Sequence, residues 1–111
     1  MQPFPEPEFI QKSVIRRGES WRNRYLAAKD KLTTGVRSAP EQLGPPPKGV
    51  DPFERCNLWL LYTALAYGVE KVYFICLWDG GGGDGPGGTA HMYQEVKGRT
   101  GNVTWIDSRS L

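Results

Sequence analysis

A chain of 111 residues with 14 Lys and Arg against 12 Asp and Glu has room for one domain with a modest core, at a size where roughly 60–70% of the unfolded surface is buried. The net charge of +2 gives no global electrostatic argument for a nucleic-acid partner or a membrane surface, and no apolar run is long enough to span a bilayer. The N-terminus alternates Pro and Glu where a secretory leader has basic and then apolar residues, and Cys56 and Cys76 have neither metal-ligand spacing nor a compact disulfide framework, so the expectation is a cytoplasmic protein with two small core thiols and no metal site.

Met1 to Pro7 reads as an extended arm, because each of its prolines biases the preceding residue away from helix. From Glu8 to Arg17, Phe9, Ile10 and Val14 share one side of a helix that Gly18 interrupts. Ser20 is a candidate cap for the next helix, where Trp21, Tyr25, Ala28 and Leu32 form one apolar stripe and Arg22, Arg24, Lys29 and Asp30 face water. Up to Arg37 the bases Lys12, Arg16, Arg17, Arg22, Arg24, Lys29, Lys31 and Arg37 outnumber Glu6, Glu8, Glu19 and Asp30, which reads as a solvated basic helix face. Thr33 to Val50 is loop on the strength of Gly35, Gly44, Gly49 and the stiff Pro45-Pro46-Pro47 run, with one helical turn at Ala39–Leu43.

Asp51-Pro52-Phe53-Glu54 is the best local start signal in the chain: an N-cap acid, a proline at the first helical position and a Glu placed to reach back to the cap. The helix it opens runs to Tyr67 and stops at Gly68, and its interior from Leu58 to Ala66 is apolar nearly all round, which predicts burial on most sides. Val72 to Trp78 is then a continuous apolar, β-branched and aromatic run, typical of a strand buried on both faces. Asp79 to Gly88 has almost no side-chain volume. Thr89 is the expected N-cap of a short helix over Ala90–Lys97, Gly98-Arg99-Thr100-Gly101 the expected turn, and Asn102–Asp107 the second strand. The result is a βαβ unit with glycines at its first crossing, a place that collects exposed backbone N–H groups and the positive end of a helix dipole and so favours an anion.

Within the loop, Gly83-Asp84-Gly85-Pro86-Gly87-Gly88 satisfies G-x-G-x-x-G, and Asp107 falls near the ~20-residue offset at which a dinucleotide-binding acid meets a ribose. Asp79 and three glycines separate the strand from that motif, and the lysine of a Walker A loop is absent. Asp84, inside the anion cradle, repels a phosphate unless a cation bridges them or the side chain turns to a sugar hydroxyl, which points to a nucleoside-type ligand. Asp79 either positions that ligand or hydrogen-bonds the loop's own N–H groups. His91, the single histidine, and Glu95 at i+4 are the candidate catalytic groups, weighed against a capping histidine and a solvated helix carboxylate. The loop also has a bland reading as a tether without ligand.

Pro86-Gly87-Gly88-Thr89, followed by Glu95, resembles the phosphate-binding P-G-G-x-G-T-x-x-E loop of the Rossmann-like nucleotide-binding superfamily that includes the Lonely Guy phosphoribohydrolases and the DNA-processing protein A family. One glycine of that pattern is missing here and the Glu falls later. The segment from Trp78 to Thr89 with its preceding helix also looks like Rossmann-type regions of large bacterial signalling proteins. The resemblance covers the second half of the chain and implies nucleotide recognition, with Gly87, Gly88 and Thr89 on phosphate and Asp79 or Asp107 on a sugar.

The expected architecture is α/β: N-terminal helices and a Pro-rich loop over 1–50, then a buried helix and a βαβ with two parallel strands over 51–111, a partial Rossmann-like unit. Because such a sheet needs more strands and cover, and the chain ends four residues after Asp107, the expectation is a part of a larger protein or a homo-oligomer. The expected function is a nucleotide-binding sensor or regulatory module, its ligand a nucleotide or other phosphate-bearing molecule held by Gly85, Gly87, Gly88 and Thr89, with or without magnesium. Two rivals stand beside it: a nucleotide hydrolase or phosphoribohydrolase using His91 or Glu95, and an interaction fragment without ligand. If the glycines serve only the ligand, Gly87→Val removes binding and leaves stability nearly intact.

Overall fold

A computed structural model describes residues 1–82, 85 and 87–111. The chain forms two compact units, Met1–Lys48 and Gly49–Leu111.

The first unit is helical. Helix α1 (Glu6–Phe9) passes without a break into a π-helical stretch, Ile10–Val14, and a 3-10 turn, Ile15–Arg17. Gly18, at φ +110°, reverses the chain into α2 (Glu19–Asp30), so the cap of α2 is Gly18 where Ser20 was expected. The N-terminal arm is shorter than the expected Met1–Pro7, because Glu6 and Pro7 are already helical, and it is paired: Gln2 bridges Ser38 in parallel, its N–H donating to the Arg37 carbonyl and its carbonyl accepting from Ala39. Lys29 ties α2 to the start of α1 through Glu6 at 2.7 Å, and Phe9 meets Tyr25 with ring centroids 5.9 Å apart. The helical turn α3 (Ala39–Leu43) lies where the sequence puts it.

The second unit is mixed. Helix α4 (Pro52–Leu65) starts as its sequence demands, with Asp51 accepting from the Glu54 N–H at 2.9 Å and Pro52 in the first turn. Strands β1 (Phe74–Trp78) and β2 (Val103–Asp107) form a two-stranded parallel sheet, with Phe74 opposite Val103 and Trp78 opposite Asp107. Between them α5 spans Thr89–Thr100, longer than expected at both ends. Its N-cap is Gly88 and Thr89 is its first residue. Gly98 does not end it, because Arg99 reaches back to Glu95 and the Thr100 hydroxyl donates to the Val96 carbonyl, and the turn falls at Gly101 in the left-handed region,.

Leu61 of α4, Met92 and Val96 of α5 and Val72 before β1 make the core, with Ala64, Leu65, Phe74 and Val103 packed around them. All of this lies on one face of the sheet. The expectation of a strand buried on both faces is therefore corrected: Phe74, Cys76 and Trp78 turn inward, while Tyr73, Ile75 and Leu77 are 75%, 69% and 59% exposed. Likewise α4 is not buried on most sides, for only Cys56 and Leu61 are fully covered and Leu60 and Tyr62 face out. Burial pushes the Cys56 and Cys76 thiols up, as fits inert core residues,.

The two adjacent leucines of α4 separate core from surface. Leu61→Ala is expected to lower the urea-unfolding free energy by about 2–4 kcal/mol through transfer and cavity costs. Leu60→Ala, on the open side, should cost under about 1 kcal/mol in the same titration.

Candidate functional site

The C-terminal ends of parallel strands are where open α/β sheets place their ligands, and here three sets of residues converge there. The first is the glycine loop. Gly87 has φ +81°, and a Cβ on it would stand 2.6 Å from the Glu54 nitrogen and 2.9 Å from the Phe53 carbonyl carbon. Its carbonyl accepts from Asn57 Nδ2 at 2.7 Å. Gly87 is thus a packing glycine pressed on the first turn of α4, and the expectation that it serves ligand alone, with stability indifferent to Gly87→Val, gives way to that contact. Gly85, at φ +62°, has open space around its Cβ position, and its carbonyl accepts from the Gly88 N–H at 3.1 Å. Gly88 is the N-cap of α5 and, as a glycine, offers no side-chain oxygen to the first-turn N–H groups. Gly83, Asp84 and Pro86 lie outside the described residues, and with them the start of the G-x-G-x-x-G pattern, the proline of the P-G-G motif and the reading of Asp84.

The second set is charged. His91 Nε2 lies 3.6 Å from Glu54 Oε1 and 3.9 Å from Glu95 Oε1. Arg99 holds the other oxygen of Glu95 at 3.2 Å and donates to the Tyr62 hydroxyl at 2.9 Å. His91 Nδ1 is buried and has no hydrogen-bond partner among the described residues. The two catalytic candidates, His91 and Glu95, are therefore neighbours. Glu54, in the first turn of α4, joins them from a segment read only as a cap.

The third set is aromatic. Trp78 stacks near Tyr93 and Trp105, with centroids 5.6 and 5.7 Å away. Trp105 Nε1 donates to the Trp78 carbonyl and Trp78 Nε1 to the Gly81 carbonyl, both at 2.8 Å. A Cβ on Gly80, at φ +82°, would meet the Trp105 ring at 3.1 Å, so the start of the loop lies against that indole. None of these rings was singled out as a site residue from sequence. The signal was present in a tryptophan that ends the first strand just before the glycines and a second in the middle of the neighbouring strand.

The two expected sugar ligands are turned to local work. Asp79 Oδ1 accepts from the Gly81 N–H at 2.8 Å, an Asx turn that shapes the loop,. Asp107 accepts from the Arg109 N–H and from its guanidinium at 2.7 to 3.2 Å. The Arg109 guanidinium, with the backbone N–H, holds the Asp107 carboxyl at about 2, so it is an anion already paired. The described residues contain no group of three His, Cys, Asp or Glu side chains that fits a metal ion.

No family model, no curated protein and no solved structure matches the chain. No helix among the described residues is long and apolar enough to cross a membrane.

Two glycine substitutions separate packing from conformational freedom. Gly87→Ala should cost about 3 kcal/mol or more, adding overlap with the α4 backbone to the strain of a left-handed φ. Gly85→Ala, with strain but no overlap, should cost about 1–2 kcal/mol. Urea titration of both variants measures the difference, and equal losses would mean that Gly87 does not seat on α4.

Proposed function

We propose that the second unit is a nucleotide-binding regulatory or sensor module, taking a phosphate-bearing ligand at the glycine loop. The observation that carries this reading is the first turn of α5, which follows the glycine loop after β1 and whose N-cap, Gly88, has no side chain to satisfy its N–H groups. Those groups and the dipole of a 12-residue helix suit a phosphate. Gly85, Gly88 and Thr89 are the residues this reading puts nearest the anion, while Gly87 holds the loop in place. The π faces of Trp78 and Trp105 at the same end of the sheet suit a base. With Asp79 and Asp107 occupied, the sugar contact passes to Glu54 or Glu95.

Thermal-shift and calorimetric titration with adenine and guanine nucleotides, with and without magnesium, tests the reading. At ligand about 100-fold above Kd, stabilisation of about 2.7 kcal/mol is expected. Gly85→Val should remove it while the protein stays folded, because the side chain then fills the space beside the loop N–H groups. Absence of any shift with nucleotides and with inorganic phosphate would end the proposal. A second reading, hydrolysis of that nucleotide, draws on the imidazole of His91 set between two carboxylates, an arrangement suited to moving a proton. It requires release of base or phosphate by the wild-type protein that is lost in Glu95→Gln.

The proposal extends to assembly. The exposed outer face of the sheet carries Tyr73, Ile75, Leu77 and Ile106, and parallel strands are normally covered on both faces. We read that face as the place of a second copy or of further protein. Sedimentation velocity should show association that Ile75→Lys abolishes, and a wild-type monomer across the concentration range would remove the self-association half of this reading.

A further inference from the structure

His91 is the third residue of α5, so its imidazole hangs from the same turn whose backbone N–H groups the proposed ligand takes. Its Nε2 faces a carboxylate from each of two helices, Glu54 Oε1 of α4 at 3.6 Å and Glu95 Oε1 of α5 at 3.9 Å. Arg99 holds the other oxygen of Glu95 at 3.2 Å and is itself tied to the Tyr62 hydroxyl. Among the described residues the charged groups facing the ring are therefore Glu54 from α4 and Glu95, with Arg99 behind it, from α5. Asp84 of the loop lies outside the described residues.

This arrangement does not pin the ring in one protonation state. Both carboxylate distances are longer than a hydrogen bond,, so neither oxygen holds an Nε2 proton firmly. Nδ1 is buried and, among the described residues, has neither a donor that would favour the neutral ring nor an acceptor that would favour the charged one,. The side chains of His91, Glu54 and Glu95 are 27%, 35% and 32% exposed, so solvent screens their charges only in part. With neutral His91 the four groups carry one net negative charge, which opposes an incoming anion, and one proton on the ring cancels it. An anion seated on the first turn stands within about 10 Å of the imidazole, about one Debye length at physiological salt. The anion therefore favours the imidazolium, and by reciprocity the imidazolium favours the anion.

We propose that binding of a phosphate-bearing ligand at this site takes up a proton on His91, so that the module holds its ligand more tightly as the pH falls from about 8 to about 6. This proton linkage rests on the anion site proposed for the first turn of α5, and it names the group that makes that site respond to pH. The sign follows from the charge balance: the ring is protonated more fully in the bound protein than in the free one, so affinity rises as protons become available. It levels off once the ring is charged in both states.

His91 is the only histidine of the chain, so its Cε1–H resonance reports this ring alone. Inorganic sulfate is the probe, because it keeps its double charge over the range in which phosphate titrates. Calorimetry of the whole chain with sodium sulfate at constant ionic strength should give an affinity about tenfold higher at about pH 5.5 than at about pH 8.5. The midpoint of the His91 resonance titration should stand about one pH unit higher in saturating sulfate than in chloride, since linkage makes the two results the same quantity. His91→Gln, polar but without a titrating charge, should bind sulfate with less than about a twofold change over that range. Circular dichroism establishes that the variant is folded, and if it is not, the wild-type resonance decides alone. Sulfate binding with an unmoved His91 midpoint, or with a pH dependence that survives in His91→Gln, would overturn the linkage and leave the anion site standing. No sulfate binding even at about pH 5.5 would also overturn it, and the nucleotide titrations then decide separately whether the ligand reading survives.

Discussion

Gly87 reaches its position only because it has no side chain, and much of the second unit hangs on that approach. The loop backbone sits against the first turn of α4, where a Cβ would be 2.6 Å from the Glu54 nitrogen, and Asn57 fixes it by donating to the Gly87 carbonyl. That contact sets where α5 begins. On α4 the residues facing α5 follow helical spacing: Glu54, Asn57, Leu61, Ala64 and Leu65, polar where the loop arrives and apolar below. Met92 and Val96 answer Leu61 four residues apart on α5, and His91 and Glu95 fall on the adjacent line toward Glu54. One glycine contact thus positions both the core pairing and the charged cluster.

The charged cluster has a definite balance. Arg99 satisfies one oxygen of Glu95 and leaves the other turned to His91, and Glu54 approaches the same imidazole nitrogen from α4. With neutral His91 the four groups sum to one negative charge, and with imidazolium they sum to zero. In the proposed reading an anion arriving at the first turn of α5 meets a surrounding that is neutral only when His91 holds a proton or a cation accompanies the ligand. That is the physical reason a nucleotide and magnesium belong to the same experiment. It is also why the proton-transfer reading and the binding reading draw on the same residues.

What could be read from sequence was what is decided locally. Asp51 capping Glu54, Pro52 in the first turn, the breaks at Gly18 and Gly68, and a parallel pair of strands joined through a helix all follow from residues within a few positions of each other. The end of α5 was misread because Gly98 weakens a helix by only about 1 kcal/mol, which the Glu95–Arg99 pair and the Thr100 back-bond offset. Gly87 was misread for another reason: its partner, Glu54, lies 33 residues earlier, and nothing in a glycine announces what it will touch. Asn57, polar in the middle of an apolar helix, was the visible sign that something docks there. Asp79 was read either as a ligand acid or as a partner of the loop's own N–H groups, and the second is observed; Asp107 was read as a ligand acid, yet it too has an N–H donor two residues onward, a common use of an aspartate at a turn,.

The sheet poses the remaining question. In a strand with one solvated face, apolar and polar residues alternate, but β1 and its lead-in place Tyr73, Ile75 and Leu77 on the outer line and Phe74, Cys76 and Trp78 on the inner one. Register adds Ile106 beside Leu77 and Thr104 beside Ile75, so the outer patch crosses both strands and is apolar over most of its length. Contiguous apolar surface of this kind marks a contact site more often than a free surface. The α5 side carries the full complement of a core, with Val96 at 1% exposure, so the outer residues are not surplus from an ill-packed interior. Their composition is that of a covered strand, and under the proposed assembly the cover and the ligand lie at different places: the partner on the outer face, the nucleotide at the C-terminal edge. Occupancy of one therefore leaves room for the other, which is what a sensor that reports a bound ligand to a neighbouring protein requires.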